Sequence, residues 1–296
     1  MKKIEQTYGY DDVAIVPGEI TLNPELVDTN TRIGDLELDV PIFASAMDSV
    51  VDPNFSKELS DLGGAGVINL DGIHVRYENT EEIYQDIVST PQKDITALLQ
   101  KIYSAPVKEN LVSEVVKKIK DSGGKCFASF VPASTKRLAP VAVEAGCDAV
   151  VVQSTVTTAR HNSKSLEGLI LSKLVDSLNV PIIVGNTVTY NVTRELMEQG
   201  VDGILVGVGP GSACTSREVL GVGVPQVSAT LECSSARDDY YKLTGRYVSI
   251  ITDGGIRTGG ELCKSFVSGA DAVMIGSPFS KTYEAPAKGN HWGMAT

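Results

Sequence analysis

Eight short apolar runs, none alternating with polar residues, do most to limit what this chain can fold into. They are Ile42–Ser45, Ala65–Leu70, Cys126–Val131, Ala149–Ser154, Pro181–Gly185, Gly203–Val208, Val248–Thr252 and Ala272–Ile275. An unalternating run reads as a strand buried on both faces, the condition of a parallel sheet. Segments with helical spacing separate most of them, among them Leu138–Ala145, Leu166–Leu178, Val192–Gln199 and Glu261–Ser268. Strand–helix alternation repeated eight times predicts an α/β fold of the (β/α)₈ barrel type. A doubly wound open sheet satisfies the same alternation.

A chain of 296 residues, 42% hydrophobic and 21% charged, suits a single barrel-sized domain spanning 1–296. The long gap from Asp71 to Lys125 holds three helix-like segments, Thr80–Asp86, Ile95–Tyr103 and Asn110–Ser122, with no second strand cluster. The stretch Tyr8–Asp39 carries turn signals at Pro17-Gly18 and Asn23-Pro24. It is expected to wrap the barrel bottom, over residues 1–40, or to support an oligomer contact. After the last run, Pro278, Pro286, Gly289 and Gly293 leave little room for a full eighth helix. Apolar surface near the first and eighth strands should then be exposed or covered by a partner.

The net charge of −11 argues against a nucleic-acid surface, which needs clustered cations. It leaves room for a small anion, because backbone amides hold phosphate without net positive charge. No apolar run reaches the roughly 18 residues of a membrane span, and the N-terminus lacks a signal peptide's apolar core. Five scattered cysteines without a CxxC pair point away from zinc and disulfides and toward a reducing cytoplasm. His74, His161 and His291 lack metal-ligand spacing; His161 reads as a surface residue opening a helix beside Asn162 and Ser163.

Barrel chemistry sits where strands end. After the sixth run, residues 207–217 form a polar, glycine-rich loop containing Gly209-Pro210-Gly211-Ser212-Ala213-Cys214. Cys214 therefore sits on a polar turn, where a thiolate can act as a nucleophile. Cys126, Cys147 and Cys263 read instead as small buried hydrophobes, and Cys233 has no supporting context. Asp253-Gly254-Gly255-Ile256-Arg257 follows the seventh run and Gly276-Ser277 the eighth, the usual phosphate position of such barrels. A carboxylate such as Asp253 suits ribose hydroxyls better than phosphate. The other strand ends supply Ser45, Asp48, Asn69, Gln153, Ser154, Thr155 and Asn186, together a polar pocket mouth.

At these segments the sequence resembles the IMP dehydrogenase/GMP reductase family. The matching stretches are Tyr10-Asp11-Asp12-Val13, Ala46-Met47-Asp48, Gly185-Asn186-Thr187, the Gly209–Cys214 loop, Gly221-Val222-Gly223-Val224-Pro225-Gln226, Asp253–Arg257 and Gly269–Ser277. The resemblance is closest to the IMP-dehydrogenase-related branch without the regulatory CBS pair. It implies that Cys214 attacks C2 of IMP, with Ser216 beside it, that hydride passes to NAD⁺, and that water releases XMP from the thioimidate. By position, Ser212, Gly255, Gly276 and Ser277 should hold phosphate and Asp253 the ribose, while Ser45, Met47, Asn186, Gly293 and Met294 complete the substrate site. Gln153, Ser154, Thr155 and Gly207 should meet the cofactor. The carbonyls of Gly209, Gly211 and Cys214 should line a K⁺ site, and the assembly should be a homotetramer.

The sequence departs from the family pattern in three places. Gln153 stands where the family's cofactor-ribose Asp is usual, and Ser216 replaces the usual Thr. Relatives continue past the segment matching His291–Met294 into a flap bearing an Arg in dehydrogenases or a Glu in reductases, whereas this sequence ends at Thr296. As written, the chain is expected to give a burst of NADH followed by slow turnover. The alternatives are an NADPH-dependent GMP reductase, a nucleotide-binding protein without turnover, and a flavin-dependent barrel using the same phosphate loops.

Overall fold

The computed structural model describes residues 5–162 and 168–293. A short antiparallel hairpin, β1 (Thr31–Ile33) and β2 (Leu36–Leu38), precedes eight parallel strands: β3 (Ile42–Ala44), β4 (Ala65–Asn69), β5 (Phe127–Phe130), β6 (Ala149–Gln153), β7 (Ile182–Thr187), β8 (Gly203–Val206), β9 (Ser249–Asp253) and β10 (Ala272–Ile275). They pair in chain order and β10 returns to β3, with Val273, Met274 and Ile275 opposite Ile42, Phe43 and Ala44. That closing pair excludes the open sheet. The fold is a (β/α)₈ barrel.

The absence of alternation in the eight runs has a direct cause. Phe43, Val67, Phe127, Val151, Ile183, Leu205, Ile251 and Met274 fill the barrel interior. Their neighbours Ala44, Ile68, Ala128, Val150, Ile182, Ile204 and Ile250 pack in the layer shared with the helices. Each large apolar side chain so buried contributes about 1.5–3 kcal/mol, so both faces of a strand select apolar residues.

The outer layer comprises α1 (Pro53–Asp61), α4 (Glu109–Asp121), α5 (Pro132–Glu144), α6 (Leu171–Ser177), α7 (Tyr190–Met197), α9 (Gln226–Thr244) and α10 (Gly259–Val267). Between α1 and α4 lie α2 (Thr80–Ser89) and α3 (Ile95–Ser104); α8 (Ser216–Val219) and α11 (Ser277–Ser280) are single turns. Local signals fix the starts nearest the site. Asp52 accepts from Phe55 N at 2.7 Å ahead of Pro53, and Thr258 and Glu261 form a reciprocal capping box that starts α10 directly after the Asp253–Arg257 loop.

The hairpin was not foreseen, although Gly34-Asp35 between two short alternating segments is a turn signal. Ile33 and Leu38 join the barrel interior from below, and Thr31 and Arg32 bond to Asp271 and Ser249 at strand starts. The hairpin thus closes the N-terminal end of the barrel.

One expectation needs correction. After β10 the described residues hold only the single turn α11, yet the outer face of β10 is not bare. Val273 and Ile275 are buried with Tyr10, Val227 and Ile256, and Leu262, Phe266 and Phe279 pack against them. The chain's own N-terminal segment covers part of the face that an eighth helix would cover, tied by Tyr10 Oη to Ser265 Oγ at 2.6 Å and by Lys264 Nζ donating to Tyr10 O. His161 is exposed, as expected of a surface residue; the helix it was expected to open with Asn162 and Ser163 runs into positions outside the described residues.

Residues beyond α11 turn back over the barrel mouth. Ala287 and Trp292 are buried with Ile73, Tyr84, Ile87, Leu99 and Ile102, so α2 and α3 form a shelf for this segment. Trp292 Nε1 donates to Tyr103 Oη at 2.9 Å, and Tyr103 donates to Asp48 at 2.6 Å. Asp48 is buried, and burial pushes its carboxyl up to about 6 against the donors Tyr103 and Ile73 N.

Candidate active site

Three loops meet at the C-terminal end of the barrel. The loop after β8 carries Cys214, exposed on a tight turn in which Cys214 N donates to Gly211 O at 3.1 Å. Its thiol lies 3.2 Å from Ser216 Oγ. Pro210 of this loop packs on the loop after β9, where Gly254 and Gly255 have φ of +86° and +80°. A Cβ at either would come within 3.2 Å of Pro210, so glycine meets both the left-handed backbone and the close approach. The third loop joins through Ser277, whose Oγ lies 2.6 Å from Ser212 Oγ.

Asp253 ends β9 beneath this junction. Its Oδ2 accepts from Asn186 Nδ2 at 2.8 Å and from Gln153 Nε2 at 3.0 Å. Burial pushes its carboxyl up to about 6, opposed by those two donors. At Gly276 a Cβ would stand 3.3 Å from both Met47 Sδ and Ser45 Oγ and 3.5 Å from His291 Cε1. The end of β10 therefore gathers Ser45, Met47, Ser277 and His291 around a bare backbone.

The 7–292 stretch matches the model of the IMP dehydrogenase / GMP reductase domain. The chain belongs to that family. It is 33% identical to an uncharacterised oxidoreductase of Mycolicibacterium smegmatis, across 98% of this chain and 79% of that one. It is 31% identical to inosine-5'-monophosphate dehydrogenase of Cryptosporidium parvum, across 97% and 71%. The crystal structure of an IMP dehydrogenase/GMP reductase-like protein from Corynebacterium glutamicum superposes with a TM-score of 0.91, at 33% identity over 97% of this chain and 77% of that one.

The residues expected to hold substrate come together: Ser45, Met47, Asn186, Ser212, Asp253, Gly255, Gly276 and Ser277 share these contacts. Gly293 follows the anchored Trp292 at the same mouth, and Met294 lies outside the described residues. The residues expected to meet a cofactor are more dispersed. Gln153 faces Asn186 and Asp253. Ser154 Oγ donates to Val156 O and pairs with Thr157, while Thr155 is exposed. Gly207 has a packing reason of its own, since a Cβ there would stand 2.3 Å from Asp253 O.

Sequence reading passed over His291. Its Nε2 lies 3.2 Å from Ser277 Oγ, and its Nδ1 is buried without a partner among the described residues. Burial and nearby Lys281 lower its pKa, favouring the neutral ring. The signal was its place one residue before the buried Trp292. One cysteine also needs correction: Cys263, expected to be buried, is exposed, while Cys233, for which the sequence offered no context, is buried. Arg257, the only cation of the Asp253–Arg257 loop, is held by Glu261 and Asp11.

The carbonyls of Gly209, Gly211 and Cys214 are of the right kind for K⁺. In this loop, however, Gly211 O accepts the Cys214 N–H. Arg217 runs between Gly209 and Gly223 and donates to Val224 O at 2.6 Å, so a second cation would meet like charge. The loop does not fit K⁺ as it stands. Among the described residues no helix is long and apolar enough to cross a membrane.

Proposed function

We propose that this barrel oxidises IMP to XMP, using Cys214 as nucleophile and NAD⁺ as hydride acceptor. One observation carries the reading: an exposed thiol on a glycine turn is braced against both phosphate-type loops, with a carboxylate between them. A nucleoside monophosphate matches that arrangement in each part. Phosphate suits the Ser212–Ser277 pair with Gly255 and Gly276, the ribose diol suits Asp253, and the base then lies toward Cys214 and the Gly293 segment.

The chemistry follows from these positions. The Cys214 thiolate adds to C2 of the purine, and the C2 hydrogen leaves with its electron pair. Gln153, Ser154 and Thr155 at the end of β6 would hold NAD⁺, which would supply the acceptor for that hydride. The sulfur remains joined to C2 as a thioimidate. Water then adds at C2, the C–S bond breaks to restore the thiolate, and XMP leaves with one proton of the water released to solvent. Ser216, within hydrogen-bonding distance of the thiol, orients it. Exposed Thr155 and Val156 leave room for a dinucleotide at the loop after β6. The exposed apolar arm, with Val16, Ile20, Leu22, Leu26 and Val27, suits burial in a homo-oligomer such as a tetramer.

The test is absorbance at 340 nm. IMP with NAD⁺ should produce a rise that Cys214→Ala abolishes while IMP still binds. A fall with GMP and NADPH, and no rise with IMP, would make the protein a reductase using the same thiol. Binding without either signal would leave a nucleotide-binding protein.

A further inference from the structure

The Asp253 carboxylate has its two oxygens in different situations. Oδ2 receives two amide N–H groups, from Asn186 at the end of β7 and Gln153 at the end of β6. Gln153 Nε2 also lies 3.2 Å from Asn186 Oδ1, so the two amides are tied to each other as well. No hydrogen bond reaches Oδ1 from the described residues. One carboxylate oxygen is thus fixed to the barrel wall and the other remains available.

We propose that Gln153 is a positioning residue for the nucleotide's ribose: it clamps Oδ2 of Asp253 so that Oδ1 meets the vicinal diol as an ionised acceptor. This rests on the nucleotide reading above. A buried carboxylate is costly to ionise, and hydrogen bonds donated to it favour the charged form. A glutamine supplies such a bond without adding charge. A glutamate at 153, matching the glutamine in length, would instead place two negative groups about 3 Å apart, and one would hold a proton. A neutral amide at this position therefore keeps a single full charge on the ribose acceptor at neutral pH. The titratable group coupled to Asp253 is Tyr10, whose hydroxyl is pushed up to about 12, chiefly by burial, and stays neutral throughout. Asn186 and Gln153 complete the groups acting on the carboxyl.

The experiment compares dissociation constants of IMP and its 2′,3′-dideoxy analogue from pH 5.5 to 9 by calorimetry, in the wild type and Gln153→Met. Both ligands carry the same phosphate and base, so the ratio of the two constants isolates the diol. In the wild type the preference for IMP should grow as pH rises through about 6 and then level off, following ionisation of Asp253. In Gln153→Met the rise should move up by about one to two pH units, the equivalent of one lost charge-assisted hydrogen bond. At pH 7 the preference should be up to about tenfold smaller, and it should recover by pH 9. Gln153→Glu should shift the same midpoint upward and serves if the Met variant does not fold. An unmoved midpoint in a folded variant, or an equal loss for both ligands at every pH, overturns the proposal. If the wild type binds neither IMP nor GMP, the nucleotide reading falls and the proposal with it.

Discussion

Ser212 and Ser277 meet Oγ to Oγ at 2.6 Å across 65 residues of sequence, joining the loop that bears Cys214 to the end of the last barrel strand. Ser277 extends the contact to His291 Nε2. The Cys214 loop, the loop after β10 and the C-terminal segment are therefore one hydrogen-bonded unit, and a ligand seated on the serines acts on all three.

The thiols should differ sharply in reactivity. Burial raises Cys126 well above the usual thiol range and pushes Cys147 and Cys233 up to about 12, whereas Cys214 and Cys263 are exposed. Iodoacetamide on the native protein should label positions 214 and 263 alone, read by peptide mass spectrometry. Saturating IMP should protect Cys214 and leave Cys263 unchanged. Protection of neither would separate Cys214 from the nucleotide site.

Asp253→Asn should stabilise the ligand-free protein while weakening the nucleotide complex. The folded carboxyl titrates near 6 against an ordinary 3.8. A raised folded pKa means the folded state binds more protons, so Asp253 favours folding below its unfolded pKa and loses that contribution as pH rises through about 6. At pH 7.5 the neutral amide removes a penalty of about 1–2 kcal/mol, below the full shift because one oxygen faces the pocket. Urea unfolding at pH 7.5 should show the gain and at pH 4.5 little of it. IMP affinity should fall by about 1.5–3 kcal/mol, the range for a hydrogen bond to a charged group.

Tyr10→Ala should cost about 3 kcal/mol, the order for truncating a buried aromatic side chain. It uncovers Val273 and Ile275, which no eighth helix shields among the described residues. Tyr10→Phe keeps the ring and loses the bond to Ser265, a cost near 1 kcal/mol. Equal denaturation midpoints for Tyr10→Ala and wild type would show that the N-terminal segment does not seal the barrel.

His291→Ala should weaken IMP and leave inosine unaffected. The ring touches Ser277 and stands over Gly276, at the proposed phosphate position and away from the ribose carboxylate. Loss of one phosphate-side hydrogen bond predicts roughly a tenfold change in the IMP constant. A parallel loss for inosine would place His291 against the base or sugar.

The barrel was legible because a strand buried on both faces can carry little but apolar residues, and that rule left eight marks on the chain. Cys214 was legible because a lone thiol among Gly209, Gly211 and Ser212 has no packing reason to be there. The hairpin was not, since its strands are three residues each and only Ile33 and Leu38 are fully buried. His291 was not, because no motif flags a histidine whose meaning comes from Ser277.

By itself, then, the sequence determined the eight strands, the glycine loops and a thiol set on one of them, each a property of neighbouring residues along the chain. Only the tertiary structure decided that Gln153 and Asn186 share one oxygen of Asp253, that Tyr10 covers β10, and that Trp292 hangs the C-terminal segment on Tyr103 and Asp48. The partners in these contacts lie between 55 and 265 residues apart. A contact of that span is set by where barrel closure brings the strand ends, and local residue pattern holds no record of it.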